Sequence, residues 1–67
     1  MTISRSLKTK IDTFATDAAA HGDNLACAIC LKALGFDYSD VELDTDERAE
    51  LAKMSKSACL EQATEWV

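Results

Sequence analysis

Apolar residues near the start of the chain fall at Ile3, Leu7, Ile11, Phe14 and Ala18, spaced four, four, three and four. That is the period of one helical face. It predicts a first helix over about residues 4–21, with Arg5, Lys8, Asp12 and Thr16 off the stripe. Gly22 follows His21, where a left-handed residue closes a helix without a Cβ penalty.

The next stretch, NLACAICLKAL at residues 24–34, is apolar all round, with only Asn24 and Lys32 polar. Asp23 suits its N-cap and Gly35 its C-terminal end. A helix without a polar face is normally buried on most sides. Two other helices of a short chain scarcely surround it, so self-association as a homo-dimer is expected.

Residues 36–44, FDYSDVELD, break the periodicity and form a connector. Phe36, Val41 and Leu43 are its expected anchors to the core, and Ser39 with Glu42 is a candidate cap for a single helical turn. Asp44 with Glu47 resembles a capping box opening a third helix over about residues 45–66. Leu51, Ala52, Ser55, Ala58, Cys59, Gln62, Ala63 and Trp66 share its broad inner arc, with Met54 at the edge. Leu60 falls on the opposite face, and fraying is expected near Trp66 and Val67.

The composition agrees with an all-α class. There is no Pro and there are only two Gly among 67 residues, too few for the turns of an all-β fold. The expected architecture is a single small three-helix domain with an acidic connector. The basic residues near the N-terminus are not followed by a long apolar run, which argues against a secretory leader. The longest apolar stretch, about twelve residues, falls short of the about twenty that a membrane span needs. A cytoplasmic protein with reduced thiols is the expectation, and the odd count of three Cys agrees with it.

His21, Cys27, Cys30 and Cys59 are the one Cys/His set from which a zinc site could be drawn. Cys27 and Cys30 lie within a continuous apolar helix, however, and not on the tight loop where zinc-binding thiolates usually converge. A metal-binding or redox module built on these residues is therefore the alternative, and three small buried thiols the main expectation. No βαβ pattern surrounds the pair, as a thioredoxin-like motif requires. The acidic connector fails as an EF-hand in both registers. Counting from Asp37 puts Val41 at position five and Arg48 at twelve; counting from Asp40 puts Thr45 at six and Leu51 at twelve. No catalytic set, metal site or cofactor is expected, and the protein is read as a non-enzyme.

Charge is the most informative feature. Residues 1–36 carry a net +1 and residues 51–67 carry none. Residues 37–50 hold Asp37, Asp40, Glu42, Asp44, Asp46, Glu47 and Glu50 against Arg48 alone, a net −6 in a chain of −5. Such a field attracts a basic surface and repels phosphates and anionic membranes. No helix carries the basic face that direct nucleic-acid contact requires. The expected partner is a basic protein surface, of the kind a nucleic-acid-binding complex presents. Small acidic inhibitors carried by phages and mobile elements, anti-CRISPR proteins and nucleic-acid mimics among them, work by this logic; the likeness is one of size and charge only. The seven acids are the expected contact residues, with Tyr38 and Leu60 as apolar anchors.

Overall fold

The structure, a computed structural model, describes residues 4–67. It contains four helices: α1 (Arg5–Ala20), α2 (Asn24–Leu34), α3 (Thr45–Lys53) and α4 (Lys56–Trp66). No strand occurs among the described residues. The radius of gyration is 11.0 Å, close to what a folded chain of this length gives. Among the described residues, no helix is long and apolar enough to cross a membrane. Ile3, placed by its spacing on the α1 stripe, lies outside the described residues.

The first turn of α1 is capped by Ser4, whose Oγ accepts from the Leu7 amide at 3.1 Å. The apolar stripe points inward as the spacing predicts: Ile11 and Ala18 are buried, Leu7 and Phe14 pack at the edge, and Ala15 joins them. At the other end Gly22 takes φ +80°. The Gly22 amide donates to Ala19 O and the Asp23 amide to Ala18 O, a paired closure that satisfies the last carbonyls. Asp23 then serves both helices. Its backbone closes α1, and its carboxylate accepts from the Ala26 amide to open α2. Gly35 at φ +81° repeats the closure for α2, through its own amide to Lys32 O and that of Phe36 to Leu31 O.

Six of the eleven α2 residues are buried, from Ala26 to Cys30 and Ala33. The cover comes mainly from α1 and α4, with a smaller contribution from α3. The apolar surface that pointed to self-association is thus largely enclosed within one chain; Leu25, Leu31 and Leu34 remain half-buried. Among the described residues, nine of the twelve in the core are Ala or Cys, and only Ile11, Ile29 and Leu51 are larger. Small side chains let helices approach closely, and short chains can use them to fill a thin interior without voids.

The expected third helix is two helices. The backbone leaves helical geometry at Met54 (ψ 125°) and Ser55 (ψ 164°), and the Ser55 Oγ accepts from the Ala58 amide to start α4. The reason lies in Ser55, which helical spacing alone puts on the inner arc. Serine competes for backbone amides and favours the N-cap over the helix interior. Leu60, expected on the opposite face, is instead half-buried at the edge of the face that Cys59 and Ala63 bury, and it packs against the core, as does Met54.

Two other local expectations change. Phe36 does not anchor the connector: it is 43 % exposed, with the Lys8 Nζ 5.5 Å from its ring centroid. Val41 and Leu43 do pack against the core. Ser39 and Glu42 form no cap. Instead the Asp37 carboxylate accepts from the Ser39 amide at 2.9 Å, and the Val41 amide closes a turn on Tyr38 O. Asp competes well for this role because its side chain reaches the backbone two residues on. The C-terminal end of α4 is held by a stack of Trp66 on Phe14, with ring centroids 5.4 Å apart and planes 16° from parallel.

Candidate functional site

The candidate site is the acidic surface of the connector and α3. The connector begins where Gly35 ends α2, and it must cross from there to the start of α3. Its two apolar residues, Val41 and Leu43, turn inward, so Asp40 and Glu42 are left exposed by alternation. Asp37 is exposed as well, and its carboxyl is held below the ordinary carboxylate range. The first cause is the hydrogen bond from the Ser39 amide, followed by that from the Ser39 hydroxyl at 3.0 Å.

Asp44 and Glu47 form a complete capping box. The Glu47 amide donates to the Asp44 carboxylate at 2.8 Å, and the Asp44 amide donates to the Glu47 carboxylate at 3.1 Å. Their charges therefore serve the helix first, and Glu47 is half-buried. Asp46 and Glu50 stand one turn apart on the exposed side of α3, as neighbours at i and i+4 do. Asp46 and Glu47 gain from the positive end of the α3 dipole, which eases the crowding of like charges there. The freely exposed acids are Asp37, Asp40, Glu42, Asp46 and Glu50.

Arg48, the one cation of this segment, turns back towards the connector, with its Nη2 3.4 Å from Val41 O. Beside it lies a shallow depression of about 90 Å³, lined by Tyr38, Leu43, Arg48, Leu51 and Ala52. The sequence offered no sign of this depression. Leu43 and Leu51 looked like ordinary core positions, and the site depends on how the connector folds over α3. Tyr38 lines it, whereas Leu60 packs into the core from α4. The two expected anchors thus occupy different settings.

The thiols sit elsewhere. Cys27, Cys30 and Cys59 are free and buried. Burial raises all three above the ordinary thiol range, and Cys30 is pushed up to about 11, with the neighbouring Cys27 and Cys59 adding to the effect. Nucleophilic or redox thiols need the opposite shift and access to solvent. His21 is exposed at the end of α1, its Nδ1 2.7 Å from Asp17 O. Among the described residues, no three His, Cys, Asp or Glu side chains converge as metal ligands.

Comparison with protein-family models, with curated proteins and with solved structures finds no match.

Proposed function

We propose that the protein is a non-enzymatic, acidic protein-binding module of the cytoplasm. On this reading it is an inhibitor that competes with nucleic acid for a basic surface of its target, in the manner of phage or mobile-element inhibitors such as anti-CRISPR proteins and nucleic-acid mimics. One observation carries it: the net −6 of residues 37–50 sits largely on exposed side chains, on a scaffold that holds them against a packed core. Opposed fields of this kind steer association and select partners. The rival built on Cys27, Cys30, Cys59 and His21 has less support, because the thiols are buried and the imidazole is not among them. A purely structural dimer has less support too, since α2 is covered within the chain.

The test is affinity capture from the source cell with the natural protein and with a variant carrying Asp37, Asp40, Glu42 and Glu50 all changed to Lys. Asp44 and Glu47 are left alone because they cap α3. The natural protein is expected to retain a basic, nucleic-acid-binding protein, to release it as salt rises, and to be displaced by its nucleic acid. Equal retention by the folded charge-reversed variant refutes the reading.

A further inference from the structure

We infer that the depression between Tyr38, Leu43, Arg48, Leu51 and Ala52 receives one aliphatic side chain from a basic segment of the partner protein. The inference rests on the acidic-module reading above and specifies the partner's chemistry at that surface.

Size sets the first limit. About 90 Å³ is well short of the about 300–1,000 Å³ typical of small-molecule pockets, and suits a single side chain. Lining sets the second. Leu43, Leu51 and Ala52 are apolar, and Tyr38 offers a ring wall. Arg48 stands at the rim, with its Nη2 3.4 Å from Val41 O. The lining is mainly apolar, with polar groups only on Tyr38 and Arg48. An aliphatic side chain is therefore favoured over a polar one.

Charge sets the third. Tyr38, Leu43 and Arg48 belong to the segment that carries net −6, and Leu51 and Ala52 follow it directly. Asp37, Glu42, Asp44, Glu47 and Glu50 are immediate sequence neighbours of the lining residues. A hydrophobic side chain arriving here must come on a chain whose neighbours are Lys or Arg. Charges then govern how fast the segment arrives, while the seated side chain governs how long it stays.

The probe is a fluorescently labelled nine-residue peptide of alternating Lys and Arg with one central Leu, titrated with the full chain and followed by anisotropy. A second peptide carries Ser in place of the Leu. The protein is used in its natural form and as Ala52→Phe, which fills the depression from an exposed helical position. Each change is expected to weaken binding about tenfold, which is about 1.4 kcal/mol. Both forms of the protein keep the same salt dependence. Equal affinity for the two peptides, or full affinity in a folded Ala52→Phe, overturns the seated side chain. If binding still falls with salt in that case, the acidic-module reading stands. If neither peptide binds even at low salt, both fall together.

Discussion

Lys32 Nζ donates to the carbonyl of Leu51 at 2.9 Å, joining the last turn of α2 to the last turn of α3. That carbonyl also accepts from the Met54 amide as α3 ends. The ammonium therefore sits at the negative end of the α3 dipole, where cations are stabilising. In the sequence Lys32 is the interruption in an apolar helix. In the fold it is the link between the core and the candidate site.

Lys32→Met keeps the aliphatic stem and removes the donor. The bond is charged but only half-buried, so we expect a loss of about 1 kcal/mol. Urea denaturation with an unchanged slope and a lower midpoint is the expected result. An unaltered midpoint means the ammonium is solvated and the link contributes nothing.

Ser55→Ala removes the N-cap of α4 at the break. The expected cost is about 1 kcal/mol, the usual price of an N-cap. If α3 and α4 instead merge into one helix, circular dichroism will show a gain in helix content with no loss of stability, and the two-helix description fails.

The stack of Phe14 on Trp66 ties the first helix to the last. Phe14→Leu and Trp66→Leu, singly and together, form a double-mutant cycle. A coupling of about 0.5–1.5 kcal/mol is expected for a direct aromatic pair. Additive effects within error would show that the rings are merely neighbours.

Burial keeps Cys30 neutral up to about 11, against an ordinary 9.0, and moves Cys27 and Cys59 in the same direction. A raised folded-state value favours the fold while the thiol is protonated. That stability is whole below 9.0 and is lost as the pH climbs through about 11. Cys30→Ala should lower stability near neutrality by about 1 kcal/mol through the cavity it leaves. It should also flatten the decline of the urea midpoint between those two pH values. Parallel declines in the two proteins contradict the assignment.

Most of the framework is legible in the residues alone, and the gaps have physical causes. The 3–4 spacing of Leu7, Ile11, Phe14 and Ala18 marks the inner face of α1. Asp23, Gly22, Gly35 and the Asp44–Glu47 pair mark the ends of helices, because each satisfies backbone groups within its own neighbourhood. The break at Met54–Ser55 is harder to see, since Leu51, Cys59 and Ala63 keep helical spacing across it and a lone serine does not announce a cap. Leu60 sits at the edge of the α4 inner face, next to Cys59 and three residues before Ala63, where spacing alone does not choose a side. The Lys32–Leu51 bond and the depression beside Tyr38 arise from tertiary contacts between α2, the connector and α3, and no local pattern encodes them. Among the site residues the exposure of Asp40 and Glu42 follows from alternation with Val41 and Leu43, whereas the hold of Ser39 on Asp37 does not.

The Ala- and Cys-rich interior has a consequence for how this protein can change. Ala28, Cys30, Cys59 and Ala63 have no exposed surface, so a larger side chain at any of them has to displace its packed neighbours. Enlarging one of them costs about 1–3 kcal/mol, a large share of the about 3–5 kcal/mol that a core in a chain of this size supplies. Substitutions at exposed connector positions such as Asp40 and Glu42 fall within about 0.5 kcal/mol. Mutational freedom is therefore divided sharply between inside and outside. A lineage carrying this fold can vary its acidic surface one side chain at a time, while its interior stays almost frozen.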